Sequence, residues 1–388
     1  MIRLKIYAVL ALCCLASFSV PTVQADEKKV TPSVDVRQEY NDNLFLTQNN
    51  RLHDTVTTIS PGLAYLRRND RGEISLRGRI DSIHYADHRE LDSTGEELSA
   101  SGGYSLNQLL WLGADGLWGR DSQLGRDLET TGLAYSAARR TRQNYNLTGR
   151  LQLSEKDMLQ INAGVNQYRY TDPQFSDVHG KTGRLTWSSD FSRYVANLVG
   201  QVLINYGRYE YTTAKVNTYT FGVGGEKKFN EVWSVNGWLG PSYTETEYLF
   251  GSGWLTKDTS LSGNLGLERK WETSSLALTL SQSVASDSGQ NGTVNRSSLG
   301  STYTRQLTRD LSLGLDLRYF RNKTASEYSS LNIDERNYQI EPKMTYRFTD
   351  DIRLESFYQH MFIDYMNDGT SRRRTLVFVK LVFSHLFH

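Results

Sequence analysis

Histidine and aspartate side chains occur together at two places early in the chain. One is the segment His84-Tyr85-Ala86-Asp87-His88, and the other is the pair His53-Asp54. Imidazole and carboxylate groups at such spacing can act in general-base chemistry or bind a metal ion. No nucleophile motif accompanies either group, so we interpret both as hydrated residues at strand ends. The sequence therefore predicts no enzyme, no cofactor and no metal site.

A second set of side chains suits the passage of polar solutes. Charged residues of both signs, together with two tryptophans, recur at positions of one parity and are predicted to line a common face. Such a balanced lining selects ions weakly, and its charges either contact hydroxylated solutes or pair across strands. The predicted set is Arg77, Arg79, Asp81, Asp115, Arg150, Arg184, Glu226, Lys228, Asp316, Arg318, Glu341, Lys343, Arg347, Arg353, Glu355, Trp111 and Trp238.

An alternation of apolar and polar side chains positions these residues. In MLQINAGVN, residues 158–166, the apolar side chains of Leu159, Ile161, Ala163 and Val165 alternate with Gln160, Asn162, Gly164 and Asn166. Residues 311–318 and 337–348 repeat the pattern with charges on the polar face. A period of two predicts strands with one apolar and one polar face. We find no helical period and no linker, so 26–388 is predicted to be a single domain.

Short turns and longer loops separate the strands alternately. Eight short turns, such as Asn69-Asp70-Arg71 and Asn107-Gln108, alternate with nine loops rich in Asp, Asn, Ser, Gly and Thr. The loops include 121–140, the best candidate for a constriction, and also 212–216 and 246–257. Residues 39–46 read EYNDNLFL, in which the Asn-Asp-Asn run ends the first strand and starts the first loop. Seventeen connections predict eighteen strands.

An antiparallel sheet of this size needs a cover for its apolar face and a partner for both edges. Closure into a barrel pairs the edges, and lipid then covers the apolar face while the polar face lines a wide lumen. The segregation of short and long connections is typical of bacterial outer-membrane barrels. The sequence therefore predicts an all-β transmembrane antiparallel β-barrel of about eighteen strands, integral to the outer membrane. A secreted β-sandwich or solenoid is the less favoured alternative.

The first 25 residues have the layout of a secretory signal peptide. Arg3 and Lys5 precede an apolar run, and small residues end at Ala25. Both cysteines, Cys13 and Cys14, lie within this segment, so the mature chain is expected to lack disulfides. The balance of 44 basic and 43 acidic residues indicates no nucleic-acid partner. Only a short lead-in precedes the first predicted strand near Val34, so we expect no plug domain.

The last strand is predicted to bind the outer-membrane barrel assembly machinery. In LVFVKLVFSHLFH, the residues Val377, Val379, Leu381, Phe383 and Phe387 share one parity. This apolar alternation resembles the C-terminal strand that the machinery recognises.

The segment EYNDNLFL, followed by Ser60-Pro61-Gly62-Leu63, resembles the opening of the β-barrel porin type 2 family of Gram-negative outer membranes. The resemblance covers the mature chain by architecture and these short segments by motif. It implies an outer-membrane location and, from members linked to exopolysaccharide export, an exit channel that works with periplasmic polysaccharide export proteins. No catalytic residues carry over.

Three functions remain open from the sequence. The leading prediction is an exit porin for exopolysaccharide. The first alternative is a general diffusion porin for small hydrophilic solutes, and the second is a structural sleeve for a cytochrome electron conduit. A surface enzyme is the least favoured.

Overall fold

The chain forms eighteen β-strands and one short 3-10 helix within the described part of the structure, a computed structural model that covers residues 26–122, 139–173, 175–249, 254–286, 293–324 and 333–387. No helix in these ranges is long and apolar enough to cross a membrane. The elements are β1 (Glu27–Asn41), β2 (Asp54–Arg68), β3 (Gly72–Tyr85), the 3-10 helix (Arg89–Leu91), β4 (Ser93–Ser105), β5 (Leu110–Ser122), β6 (Arg139–Gln152), β7 (Asp157–Tyr170), β8 (Val178–Asp190), β9 (Leu198–Glu210), β10 (Ala214–Lys228), β11 (Trp233–Tyr248), β12 (Trp254–Lys270), β13 (Ser274–Ser286), β14 (Thr293–Gln306), β15 (Leu311–Thr324), β16 (Asp334–Arg347), β17 (Ile352–Tyr365) and β18 (Thr370–Ser384).

The sheet closes on itself. Consecutive strands pair in antiparallel ladders from β1 to β18, and β1 pairs with both β2 and β18. The closing ladder runs from the pair Ser33–Ser384 to the pair Asn41–Leu376. Closure gives every strand two hydrogen-bonded neighbours, which a bilayer requires because its core offers no water to unpaired backbone groups. The predicted antiparallel barrel of eighteen strands is confirmed.

The wall is one strand thick, so side-chain parity decides what each residue contacts. Leu147, Leu239 and Leu265 point outward, with 62%, 54% and 48% of their surface exposed. Gln359 and Glu335 point into the lumen and are each only 1% exposed. This distribution is the reverse of that in a soluble domain, because lipid rather than protein covers the apolar side chains.

Outward-facing aromatic rings lie in rows near the ends of the strands that the longer loops join. The rings of adjacent strands contact one another, which is the arrangement of an interfacial girdle. The centroid distances are 5.3 Å for Tyr206–Tyr219, 6.5 Å for Tyr219–Tyr243, 5.1 Å for Tyr319–Tyr338 and 6.3 Å for Tyr338–Phe362.

Several predicted boundaries differ from the structure. The loops at 212–216 and 246–257 are too long, because β10 begins at Ala214, β11 continues to Tyr248 and β12 begins at Trp254. Lumen-facing Val216, Thr244 and Thr246 are buried there, which favours continued strand. The first strand begins directly at Glu27 without the expected lead-in. The predicted signal peptide 1–25, with its two cysteines, and most of the 121–140 loop lie outside the described residues.

The inward and outward assignment can be tested with two adjacent residues of β12. Leu265→Arg places a charge on the lipid face at mid-height, and we expect it to lower the free energy of unfolding by about 2–4 kcal/mol. Asn264→Arg places the same side chain in the lumen and should change stability little. Urea titration of the protein folded into lipid vesicles measures both. A larger loss for Asn264→Arg would contradict the assignment.

Candidate functional site in the barrel lumen

The predicted charged residues lie on the polar faces of β3, β5, β6, β8, β10 and β15 to β17. Many pair within one strand, with an opposite charge two residues away on the same face. The nitrogen to oxygen distances are 2.9 Å for Arg79–Asp81, 3.5 Å for Lys228–Glu226, 3.2 Å for Arg318–Asp316, 3.0 Å for Lys343–Glu341 and 2.7 Å for Arg353–Glu355. These pairs neutralise much of the lining locally.

On β15 to β18 the pairs merge into a network across strands. Lys343 Nζ also lies 2.5 Å from Asp316, and the Gln359 amide donates to Glu341 at 2.9 Å. Arg374 in turn donates to the Gln359 carbonyl oxygen at 2.9 Å. We call this set, Asp316, Glu341, Lys343, Gln359 and Arg374, the charged wall. Its carboxylates are nearly buried, with 5% of Asp316 and 6% of Glu341 exposed.

The remaining predicted charges are less tightly coupled to one another. Asp115 accepts a hydrogen bond from the Asn146 amide at 2.8 Å, and Arg347 lies 3.1 Å from Asp310 in the adjacent turn. Arg77 is exposed on the lumen face opposite Ala64 and Ser99. Arg150 stacks on Trp111 at 4.5 Å and donates to Gln160 at 3.3 Å, and Arg184 donates to Asn205. A role of any of these residues in solute passage stays a prediction.

A chamber with almost no charge lies on the opposite side of the lumen, about midway along β6 to β13. Its volume is about 470 Å³. Its walls are mostly amide and hydroxyl side chains, and Arg184 is the one charged group among the described lining residues. The polar lining residues are Asn146, Gln160, Asn162, Thr182, Arg184, Asn205, Tyr209, Thr218, Thr220, Trp238, Ser242, Ser262 and Ser283. We refer to it as the polar chamber.

Hydrogen bonds within β7 and between neighbouring strands hold the chamber lining in place. Thr148 Oγ1 donates to Asn162 Oδ1 at 3.0 Å, and Gln160 donates to the same oxygen at 3.2 Å. The hydroxyls of Thr220 and Ser242 share a hydrogen bond of 2.9 Å. Each of these groups keeps further lone pairs or protons, so the lining can both donate to and accept from a hydroxylated solute.

Glycines allow Trp238 to lie flat against the wall of the chamber. A Cβ atom at Gly222 of β10 would come within 2.7 Å of Trp238 Cε3. No real side chain tolerates such distances, so the ring occupies space that only glycine leaves open. Trp111 uses Gly103 and Gly113 in the same way, since added Cβ atoms would lie 2.4 and 2.2 Å from its ring.

The loop at 42–53 folds inward and contacts the lumen wall. Leu46 is fully buried against Met361 and Ile363, which lie at lumen-facing positions of β17. Asn43 is also fully buried and holds the loop together. Its amide donates to the carbonyl oxygens of Thr47 and Arg373 at 2.9 Å each, and its Oδ1 accepts from the Thr47 backbone N–H at 2.9 Å. We call residues 42–53 the inward loop.

Sequence reasoning missed this contact, although the segment itself stood out. EYNDNLFL was interpreted only as a reversal signal, but three apolar residues, Leu44, Phe45 and Leu46, follow the Asn-Asp-Asn run directly. Leu46 adopts a φ of 53°, which a branched side chain rarely does. The burial of Leu46 and the hydrogen bonds of Asn43 stabilise that backbone conformation. The inward loop is therefore held in one position at the mouth of the barrel.

Apolar side chains also cover the lumen face at the loop end of β8 to β10. Val178, Tyr211, Ala214 and Val216 form a buried cluster, with Tyr168, Tyr209 and Tyr248 packed against it. Aromatic residues at these lumen positions therefore pack on one another near the mouth. The inward loop and this cluster face the lumen from different strands and narrow the same end of the barrel.

The histidine and aspartate groups at the mouth have structural contacts. Asp54 accepts the backbone N–H groups of Ala86 and His88 at 3.0 Å each, and His88 Nδ1 lies 2.9 Å away. The Asp54 side chain is fully buried, so the interpretation of Asp54 as a hydrated residue is wrong. His84 contacts Asp92 at 3.2 Å, and the backbone N–H of Tyr85 together with His84 lowers the pKa of the Asp92 carboxyl. The described residues contain no cluster of metal-ligating side chains.

Comparison with known proteins identifies the fold. No family model matches the chain, and no curated protein does either. OccAB4 from Acinetobacter baumannii is similar over 95% of this chain and 100% of its own, at 11% identity and a TM-score of 0.52. OpdK from Pseudomonas aeruginosa, solved with vanillate, is similar over 93% of this chain and 99% of its own, at 11% identity and a TM-score of 0.51.

These neighbours are outer-membrane porins, and a second structure of OpdK, also called OccK1, matches with a TM-score of 0.50. The chain is an outer-membrane β-barrel of the porin type, which confirms the predicted location. The resemblance to the porin type 2 family is supported as far as a β-barrel porin. Its exopolysaccharide-export members receive no support from these neighbours.

The contacts of the inward loop predict a variant that releases it. Asn43→Ala removes bonds to three backbone groups at a buried site, which costs about 1–3 kcal/mol for each group left unsatisfied. We expect the loop to leave the wall, so that trypsin cleaves after the exposed Arg51 and the single-channel conductance rises. Gln48→Ala, at an exposed position of the same loop, is the control. Equal cleavage of both variants at the wild-type rate would rule out the anchoring role.

The seating of Trp238 predicts a variant that narrows the chamber. Gly222→Val places side-chain atoms where the ring lies, so the indole must swing into the lumen. We expect severalfold slower entry of small sugars into proteoliposomes. Gly300→Val is the matched control, because the nearest atom to its added Cβ is Thr279 Oγ1 at 4.0 Å. The model of a flat-lying ring fails if both variants transport alike.

Proposed function

We propose that the chain is a diffusion channel for small hydrophilic solutes, with neutral hydroxylated molecules as its preferred class. The polar chamber is the observation that carries the proposal. Its amides and hydroxyls match the hydrogen-bonding groups of sugars and polyols. Trp238 adds an aromatic face of the kind that packs on the apolar side of a sugar ring.

The size of the chamber supports a small solute. A volume of about 470 Å³ lies within the range of roughly 300–1,000 Å³ typical of small-molecule sites. The inward loop and the apolar cluster reduce the space at the mouth further. OpdK was solved with the small molecule vanillate, which is consistent with solutes of this scale in a barrel of the same fold. No described feature favours a polymer track or a cytochrome sleeve.

The distribution of charge supports neutral selectivity. The charged wall satisfies its own ions, so it presents little net field to a passing solute. Within the chamber, Arg184 is hydrogen-bonded to Asn205 and is the one charge on its described lining. A single cation among amides and hydroxyls gives at most a modest preference for anions.

Swelling of proteoliposomes in isosmotic solutes tests the proposal. We expect fast entry of arabinose and glucose, slower entry of disaccharides and exclusion of long oligosaccharides. Glucose should enter at least as fast as gluconate or glucosamine of nearly the same size, because the chamber is almost uncharged. Arg184→Gln should remove most of any difference between gluconate and glucosamine.

The result that overturns the proposal is equally direct. Absence of swelling with pentoses and hexoses, from vesicles that contain folded barrel, would exclude a diffusion channel. Entry of a charged solute much faster than glucose would retain the channel and remove the neutral preference.

A further inference from the structure

Three side chains on the outward face of the barrel form a hydrogen-bonded chain beside the mouth. Ser82 Oγ lies 2.9 Å from His84 Nε2, and His84 Nδ1 lies 3.2 Å from Asp92 Oδ2. Ser82 and His84 share the parity of the exposed Ile80 on β3, so both face away from the lumen. A serine, a histidine and a carboxylate in this order are the groups of nucleophilic ester hydrolysis. We call these three residues the outward triad.

The contacts of Asp92 decide which nitrogen of His84 carries the proton. An ionised carboxylate only accepts hydrogen bonds, so the Nδ1 atom that faces Asp92 carries the proton. His84 Nε2 therefore has a free lone pair and accepts from the hydroxyl of Ser82. This is the tautomer in which an imidazole removes a proton from serine as a general base. The second carboxylate oxygen of Asp92 accepts from the backbone N–H of Tyr85 at 2.8 Å, which fixes the carboxylate.

The segment between β3 and β4 holds Asp92 in place. Buried Asp54 accepts three backbone N–H groups at the start of this segment. The 3-10 helix Arg89–Leu91 follows, and the backbone N–H of Asp92 donates to the first carbonyl oxygen of this helix at 3.0 Å. Arg139 of β6 donates to the backbone carbonyl oxygen of Asp92 at 3.1 Å. Contacts on both sides of the backbone therefore orient the carboxylate toward His84.

The outward triad opens into a cavity of about 400 Å³, which Thr94 and Arg120 also line. Thr94 of β4 is the register partner of Ser82. Arg120 of β5 lies opposite Glu96, which is the next outward residue of β4 after Thr94. Hydroxyl and guanidinium groups beside a nucleophile can donate hydrogen bonds to the oxyanion that forms when it attacks a carbonyl. The cavity therefore supplies donors as well as a nucleophile and a base.

An apolar groove continues from this cavity along the outward face toward the middle of the barrel. Its volume is about 500 Å³, and it shares Glu96 with the cavity. The large apolar side chains that line it are Leu63, Ile80, Leu98 and Trp118. Ile80 precedes Ser82 by two residues on the same face, and two residues of strand span about 7 Å. An acyl chain that lies in the groove therefore places its terminal ester bond next to Ser82.

The outward triad lies where the wall leaves the hydrocarbon. Ser82 is three residues from the end of β3, on the side of the long loops. The His84 side chain is 57% exposed, so water reaches the site from outside the membrane. An ester at this depth has its apolar chain in the bilayer and its carbonyl group at the interface. Both reactants of hydrolysis, the ester and water, therefore meet at the triad.

We propose that the outward triad hydrolyses long-chain acyl esters that lie in the outer leaflet. Ser82 Oγ attacks the ester carbonyl carbon and gives its proton to His84 Nε2. Thr94 and Arg120 stabilise the oxyanion. The alcohol then leaves with the proton from His84, and the acyl group stays on Ser82. Asp92 is a positioning residue that holds the imidazole in its reactive tautomer.

Water completes the reaction as the second substrate. It attacks the carbonyl carbon of the acyl group and gives a proton to His84 Nε2. The bond to Ser82 Oγ breaks, the proton returns to that oxygen, and the free fatty acid is released. The lumen takes no part in these steps, so this activity goes beyond the proposed channel function.

Hydrolysis of p-nitrophenyl esters by the purified barrel in detergent micelles tests the proposal. We expect faster turnover of octanoate and palmitate esters than of the butyrate ester, because the longer chains fill the apolar groove. Ser82→Ala should lower kcat at least about a hundredfold. Ser297→Ala is the matched control, since Ser297 is an outward serine whose hydrogen-bond partner is the amide oxygen of Gln282 at 3.2 Å. It should hydrolyse the esters as wild type does.

A fluorophosphonate probe reports the nucleophile directly in the wild-type protein. We expect the probe to attach to Ser82, as mapped by peptide mass spectrometry, and His84→Gln to slow the attachment at least about a hundredfold. His179→Gln is the matched control, because His179 is another exposed outward histidine at the loop end of its strand. Asp92→Asn should lower kcat and leave KM unchanged, since Asp92 acts on the chemistry through His84 and not on binding.

Three outcomes would overturn the proposal. They are absence of both hydrolysis and labelling with the folded wild-type barrel, unchanged turnover by Ser82→Ala, and equal turnover of the butyrate and palmitate esters. Heat-modifiable migration on gels shows that each variant is folded. Sugar entry into proteoliposomes is measured in parallel, and we expect Ser82→Ala to retain it. The esterase site and the channel function therefore succeed or fail separately.

Discussion

The pairing of backbone N–H and C=O groups in a medium without water is the constraint on which the rest of this structure depends. Each unpaired group in hydrocarbon costs several kcal/mol, so a sheet in the bilayer must close. Once closed, the wall is a single layer, and each residue contacts either lipid or lumen. The alternation of the sequence, the burial of Gln359 and the exposure of Leu147 all follow from that geometry.

Closure also concentrates polar chemistry in one confined space. Charges that face a partly dry lumen need partners, since removing one member of a buried pair costs about 3–5 kcal/mol. The chain meets this need mainly with opposite charges two residues apart, as in Asp316 and Arg318, which one strand positions without help from its neighbours. The charged wall then becomes a rigid, self-neutralising surface. Solutes are therefore discriminated mainly in the polar chamber across the lumen, by their hydrogen-bonding groups and their size.

The parity of a side chain could be predicted from sequence because it depends only on the local period of two. Arg77 and Glu355 could be placed on the lumen side without knowing any partner. The fold followed from the same pattern, together with the alternation of short and long connections. The inward loop could not be predicted, because Asn43 bonds to Arg373 across 330 residues of sequence and no local pattern encodes that distance. The packing of Trp238 against Gly222 could not be predicted either, because the two residues lie on different strands and are brought together only by the strand register.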